Sequence, residues 1–128
     1  DLSITETANN EQFLFSLFSK TETKEGKAKI RQYIEGQVEY YAKIMGITYG
    51  RISMRNQKTR WGSCSSNGNL NFNNRLLFVP KELVDYVVVH ELAHRKEMNH
   101  SNAFWNVVEK YMPDYKERRK KLREYHIE

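Results

Sequence analysis

Apolar residues recur at helical spacing in two long stretches of the chain. Positions 28–45 place an apolar residue at every third or fourth step, and Gly46 follows where helices often end in glycine. Positions 82–97 carry a second apolar stripe that includes Val88 and Leu92. We therefore predict two helices, with the first packed behind the second.

The region between these helices has the shorter pattern of β-strands. Positions 49–55 alternate between apolar and polar residues, as a half-buried strand does. A polar loop at 57–67 leads into a second strand at 70–73, which positions 76–79 continue or extend with a third. Pro80 then precedes the second helix. The pattern predicts a small antiparallel sheet in front of that helix, and hence an α+β domain.

Two further helices are predicted after the second one. Ser101 is a favourable N-cap, and the residues after it present an apolar face that includes Phe104 and Trp105. Pro113 ends this helix, and Asp114 is placed to begin another. The C-terminal part of the domain is therefore expected to be helical.

The candidate chemistry lies in positions 87–100, which contain three of the four histidines. His90 and His94 project from one face of a helix, and Glu91 stands between them. In this H-E-x-x-H pattern two imidazoles bind Zn²⁺ and the glutamate acts as general base on the bound water. His100 is far enough along the chain to fold back as a third ligand. Three protein ligands with an open fourth position are typical of a catalytic zinc site.

An alternative is that these histidines are ordinary surface residues, because so short a motif also occurs by chance. The apolar stripe argues against this alternative, since it places the helix against the core. Glu91 and two imidazoles would be costly to bury there without a metal ion or other partners. We therefore predict a Zn²⁺ site, at which another divalent transition metal is also possible.

Three other residues are candidates for roles near the metal. Tyr86 lies four residues before His90; a packed tyrosine is the favoured interpretation, and support of a ligand or of the transition state is the alternative. Arg60 and Tyr86 are the candidate substrate-binding residues. Cys64 is interpreted as a packed residue in a sharp bend rather than a thiolate, although Lys58 and Arg60 could lower its pKa.

The excess positive charge is concentrated in one segment. The net charge is +5, and positions 40–81 contain seven basic residues and no acidic one. Such a segment is either a solvated face or a surface that attracts an anionic substrate or nucleic acid. Two alternatives to a peptidase therefore stay open: a metal-dependent nucleotide or phosphate-ester hydrolase, and a non-catalytic, metal-stabilised nucleic-acid or protein interaction module. The seven residues are Lys43, Arg51, Arg55, Lys58, Arg60, Arg75 and Lys81.

Length and composition set the remaining bounds. A chain of 128 residues is expected to form one domain, and its single cysteine allows no internal disulfide. No apolar run approaches the roughly 20 residues of a membrane-spanning helix, and no secretory signal is evident, so we expect a cytoplasmic protein without membrane contact. A polar stretch near position 26 predicts a boundary. Positions 1–26 are interpreted as an N-terminal extension or a fragment of a preceding region, and positions 27–128 as the metal-dependent hydrolase domain.

The order of several short motifs resembles the YgjP-like family of predicted metal-dependent hydrolases, which is related to the SprT-like and WLM metallopeptidases. The resemblance implies a minimal zincin-like domain, a metallopeptidase activity, His90, His94 and His100 as metal ligands, and Glu91 as catalytic base. Glu97 stands where metzincins have a glycine, which argues against a true metzincin. The motifs are RWGSCS at 60–65, GNL at 68–70, DYVVVHELAH at 85–94, NHS at 99–101, FW at 104–105 and PDY at 113–115.

Overall fold

A computed structural model provides the fold and describes residues 2–3 and 23–125. The predicted α+β class is confirmed: the domain combines helices with a small sheet, and the helix at 81–93 contacts the first long helix, the strand at 60–64 and both C-terminal helices. The elements are β1 (Leu2–Ser3), α1 (Lys24–Met45), β2 (Ile52–Arg55), β3 (Arg60–Cys64), β4 (Leu70–Asn73), a 3₁₀ helix (Asn74–Phe78), α2 (Lys81–Ala93), α3 (Asn102–Tyr111) and α4 (Tyr115–Leu122).

The division of the chain into an extension at 1–26 and a domain at 27–128 stays a prediction. Most of the extension, residues 4–22, lies outside the described residues. Within the described part, α1 begins at Lys24, a few residues before the predicted boundary. No helix in this part of the chain combines the length and apolar character needed to cross a membrane.

Helix α1 forms where the apolar spacing predicted it. Thr23 caps the N-terminus, since its side-chain oxygen accepts the N–H of Gly26 at 3.1 Å. Gly46 ends the helix with φ of 67°, a left-handed conformation that glycine adopts at little cost. The buried side chains recur every three or four residues and pack α1 against α2; they are Ile30, Ile34, Val38, Ala42 and Met45.

The sheet is mixed rather than purely antiparallel, which corrects the prediction. Its strand order is β1-β3-β4-β2, with β1 and β4 antiparallel to β3 and with β2 parallel to β4. Strands β3 and β4 form a hairpin that turns at Gly68, where φ is 87°. In the hairpin, β3 pairs with one edge of β4, so β2 pairs with the other edge of β4. The chain between β2 and β3 reverses direction, and β2 therefore runs parallel to β4.

Two segments next to the sheet differ from their predicted structure. Positions 60–64, predicted as part of a polar loop, form β3, a strand with Trp61 and Cys64 buried. Positions 76–79, predicted to continue a strand, belong mostly to the 3₁₀ helix. The buried Asn73 begins that helix by accepting the N–H of Arg75 at 2.9 Å. A local side-chain bond thus replaces continued strand pairing.

Helix α2 ends earlier than predicted, and its end is important for the site. The prediction extended it to Glu97, whereas regular helix stops at Ala93. Tighter bonds follow, in which the N–H groups of His94, Arg95 and Lys96 each reach the carbonyl three residues back. The chain therefore turns out of the helix directly after His94, and α3 begins after Ser101, whose hydroxyl accepts the N–H of Phe104 at 3.4 Å.

Candidate metal centre

The three predicted ligands come together in one cluster. His90, His94 and His100 offer nitrogen atoms that all lie within 4.8 Å of one another. His90 and His94 are each 1% exposed, whereas His100 lies at the surface. His90 lies in the last turn of α2 and His94 is its C-cap, and the tight turn after His94 brings His100 back to them. We call His90, His94 and His100 the histidine cluster.

The spacing of the ring nitrogens fits one bound ion. The Nε2 atoms of His90 and His100 are 3.2 Å apart. Two nitrogens that each lie roughly 2.0–2.1 Å from a tetrahedral zinc ion are separated by about 3.3 Å. The donor set, three imidazoles with no fourth protein ligand in the described cluster, leaves room for water or substrate.

Hydrogen bonds on the outer sides of the rings set their orientation. Nδ1 of His94 lies 3.1 Å from the carbonyl oxygen of Glu97. Because a carbonyl can only accept, Nδ1 carries the proton and Nε2 keeps a lone pair for a metal. Nδ1 of His90 lies 3.4 Å from the hydroxyl oxygen of Tyr86, which can accept a hydrogen bond from Nδ1–H in the same way. Such outer contacts fix the tautomer of a metal-binding histidine.

Aromatic side chains of α3 and α4 pack around the cluster. Phe104 is fully buried and contacts all three imidazoles, with its ring stacked on His94 at 4.5 Å between centroids. Trp105 stacks on His100 at 5.9 Å. The indole also contacts α4, since Tyr115 stacks on Trp105 at 5.3 Å and the Arg119 guanidinium lies 4.8 Å from its ring. These contacts hold the imidazoles in place without using their nitrogen atoms.

The surroundings keep the imidazoles neutral. Burial lowers the pKa of His90 well below its usual value, and the neighbouring His94 and His100 lower it further. Burial is also the main cause that lowers the pKa values of His94 and His100. A metal ligand must be deprotonated, so the cluster is ready to bind an ion near neutral pH without first losing protons.

Glu91 directly follows His90 on α2, and its side chain is fully buried. Neither carboxylate oxygen has a hydrogen-bond partner among the described residues, and burial raises the pKa of Glu91 to about 8. A buried polar group without partners is costly. This cost is typical of a functional site, where a bound ion and a reacting water would interact with the carboxylate.

Comparisons with known proteins agree with this geometry. Residues 9–125 match the YgjP-like metallopeptidase domain. The chain belongs to this family. It is therefore a metallopeptidase domain, and its histidine cluster implies a metal ion. The resemblance seen in the order of the sequence motifs is confirmed, and so is the predicted metallopeptidase function.

Two crystal structures of metallopeptidase zymogens are similar to this YgjP-like domain. Abylysin of Pyrococcus abyssi is 30% identical, with a TM-score of 0.60, over 70% of this chain and 87% of that one. Jannalysin of Methanocaldococcus jannaschii is 25% identical, with a TM-score of 0.61, over 70% of this chain and 92% of that one. No curated protein sequence matches the chain.

Gly62 is a site residue that the sequence analysis did not identify. A Cβ atom added to Gly62 would lie 3.2 Å from both Cγ and Oε2 of Glu91, and 3.2 Å from the carbonyl oxygen of Asn71. Strand β3 approaches the carboxylate so closely here that a side chain at this position would require Glu91 or the backbone at Asn71 to move by a few tenths of an ångström. The available signal was the glycine itself, since glycine within a strand often marks a close approach.

We expect Gly62→Ala to lower catalytic turnover while leaving metal binding intact. Two of the three atoms nearest to the added methyl group belong to Glu91, so its carboxylate would have to shift, and none of the three belongs to the histidine cluster. Turnover should fall about tenfold or more, since a misplacement of about 1 Å can cost roughly 10²-fold. Metal content and melting temperature, measured beside turnover, separate this effect from unfolding. Equal turnover in variant and wild type would show that the contact does not position Glu91.

The remaining candidate residues lie at different distances from the cluster. Tyr86 is fully buried, and its hydroxyl lies beside His90, which suits a role in orienting that ligand. Its contact with substrate stays a prediction. Arg60 is exposed on β3, two residues before Gly62. Cys64 is buried and outside the histidine cluster, and burial, together with the charge of Glu91, raises its pKa to about 11, so it is a thiol.

The seven basic residues of positions 40–81 do not share one surface. Arg75 is 2% exposed and donates from Nη1 to the carbonyl of Gln57 at 3.0 Å. Arg51 precedes β2 at one edge of the sheet, whereas Arg60 lies on β3 toward the other edge. Lys81 belongs to α2, and its ammonium group lies over the ring of Tyr33. Because Arg75 is buried, the seven residues do not form a single exposed strip that would follow a nucleic-acid backbone.

Proposed function

We propose that this YgjP-like domain is a zinc-dependent peptidase in which His90, His94 and His100 hold the ion and Glu91 is the general base. The observation that carries the proposal is the arrangement of three neutral imidazoles beside a buried carboxylate without hydrogen-bond partners in the described part of the chain. Imidazole ligands of borderline softness suit zinc, although nickel, cobalt or copper would also accept them.

When bound, the ion would act as a Lewis acid and lower the pKa of a coordinated water from about 15.7 to about 7. Glu91 would take the proton from the attacking water and transfer it to the amine nitrogen that leaves. Burial suits this role, since it raises the pKa of Glu91 to about 8. A cation nearby favours the carboxylate, which brings the pKa back toward the working pH.

The histidine cluster is shielded on one side and accessible on another. Phe104 and Trp105 cover the imidazoles from α3. His100 is the exposed member of the cluster, so solvent and substrate reach the site from its side. Peptide hydrolysis is favoured over phosphate-ester hydrolysis because the family is one of metallopeptidases and the basic residues of positions 40–81 are dispersed.

The test is cleavage by the protein after metal removal and reloading. We expect the zinc-loaded protein to cleave members of a quenched fluorescent peptide panel, the stripped protein to be inactive, and p-nitrophenyl phosphate esters to remain intact. Cleavage of the esters but not of the peptides would favour the phosphate-ester alternative. A fully metallated protein that cleaves neither would favour the interaction module. Metal analysis of the protein as purified identifies the ion, and a stoichiometric content of Mn²⁺, Co²⁺ or Ni²⁺ in place of Zn²⁺ would contradict zinc.

A further inference from the structure

Strand β3 is next to Glu91, and an extended segment already lies along its outer edge. β1 runs antiparallel to β3, with Leu2 opposite Gly62 and Ser3 opposite Arg60, and the register shifts between these pairs. Gly62 is also the residue in close contact with Glu91. The structure thus shows that an extended peptide fits this edge beside the candidate catalytic base, and main-chain pairing to a sheet edge is a common way to bind one.

The backbone at Arg60 is held firmly by buried side chains. Asn73 is 1% exposed, and its Nδ2 donates to the carbonyl of Arg60 at 2.9 Å and to that of Gln57 at 2.7 Å. Nη1 of Arg75 donates to the carbonyl of Gln57 as well, at 3.0 Å. The start of β3 and the loop before it are therefore fixed, so the Arg60 side chain extends from a defined point.

The charge of Arg60 has no acidic partner in the described part of the chain. The ion pairs described there, Arg31–Glu35 and Arg118–Asp114, lie on α1 and at α4. Positions 40–81 contain no acidic residue, and the nearest charged neighbour along the chain is Lys58. The guanidinium belongs to an exposed residue two positions before Gly62, the residue of β3 that approaches Glu91. It is thus available to an anionic group at the site.

We propose that Arg60 sets a preference for peptides that carry an acidic residue next to the cleaved bond. The substrate would replace β1 on the edge of β3, and its Asp or Glu would stand in the place of Ser3, opposite Arg60. This inference rests on the proposed peptidase function and adds the class of substrate. Side chains directly opposite on antiparallel strands have Cβ atoms roughly 5 Å apart, close enough for an ion pair.

The test compares matched peptides that differ only by Glu or Gln at one position, moved stepwise across the cleaved bond. At one position the wild type should have a kcat/KM for the Glu peptide that is higher by up to about fivefold, the range of an exposed cross-strand ion pair. Arg60→Gln should abolish this difference, and Arg60→Glu should reverse it, so that the Gln peptide becomes the better substrate. Added salt should reduce the preference of the wild type.

Arg51 provides the matched control. It is also exposed and belongs to the same basic segment, but it precedes β2 at the far edge of the sheet. Arg51→Glu changes the net charge by the same amount as Arg60→Glu, and the preference for the Glu peptide should stay as in the wild type. An equal loss in both variants would mean that the overall field of the protein, and not Arg60, selects the substrate.

The possible failures are distinguishable. If metal-loaded wild type cleaves no peptide, the proposed function fails. If it cleaves Glu and Gln peptides equally at every position, only the role of Arg60 is overturned. Tight, salt-sensitive binding of an oligonucleotide that Arg51→Glu and Arg60→Glu weaken alike would assign the charge to nucleic acid instead. Arg60→Gln decides the matter if Arg60→Glu fails to fold, and metal content is measured for each variant.

Discussion

Glu91→Gln is expected to lower kcat by a factor of roughly 10²–10⁴, the usual contribution of a general base. Glutamine keeps the size and shape of glutamate but cannot accept the proton. Glu91 is fully buried, and neither of its oxygens has a hydrogen-bond partner among the described residues, so the variant breaks no such bond there. A neutral amide is also less costly to bury than a carboxylate. The fold and the melting temperature should therefore be retained.

Metal content and turnover together decide the role of Glu91. We expect Glu91→Gln to bind as much zinc as the wild type. Glu82→Gln is the matched control, because Glu82 is an exposed residue in the first turn of the same helix and its loss should leave turnover unchanged. Full turnover in Glu91→Gln would remove Glu91 from the mechanism. Loss of zinc would instead make it a ligand or a support of one.

The helical parts of this domain could be predicted from sequence because their signals are local. The spacing of apolar residues in α1 and α2 reports directly which face is buried, and Gly46 and Ser101 stop and start helices through bonds to nearby residues. The H-E-x-x-H pattern depends on the same local geometry. It placed His90 and His94 on one helix, and the structure brings both together with His100.

The sheet was predicted less well because pairing is decided between distant residues. Nothing in positions 49–55 states that their partner is β4 or that the pairing is parallel. The hairpin of β3 and β4 takes one edge of β4 and thereby determines where β2 can pair. Likewise, the side-chain bond from Asn73 that begins the 3₁₀ helix competes with continued strand pairing, and the apolar spacing at 76–79 suits either structure.

The parts of the site that the sequence did not predict depend on contacts across the fold. Gly62 matters because β3 lies on Glu91, a contact that joins two separate elements. The stack in which Trp105 lies among His100, Tyr115 and Arg119 joins a turn and two helices. The sequence showed an apolar face at Phe104 and Trp105, but it could not show which rings would face the imidazoles.

His100→Ala is expected to weaken metal binding and, with it, the stability that the metal provides. His100 is an exposed residue in the connection between α2 and α3, so its truncation removes little buried surface and the variant should fold. The wild type should melt at a higher temperature with zinc than after chelation, because an ion held by both segments stabilises the folded state by about 2.7 kcal/mol at a concentration of 100 Kd. In His100→Ala this difference should largely disappear.

Metal analysis and melting curves with and without chelator measure both effects on the same samples. The control is His126→Ala, which removes the fourth histidine of the chain and should keep wild-type zinc content. The rings of His90 and His94 are held by Phe104 and by their outer hydrogen bonds, so two ligands would remain in place in His100→Ala. If two ligands sufficed, the variant would retain full zinc and the full melting difference, and the assignment of His100 as a ligand would be wrong.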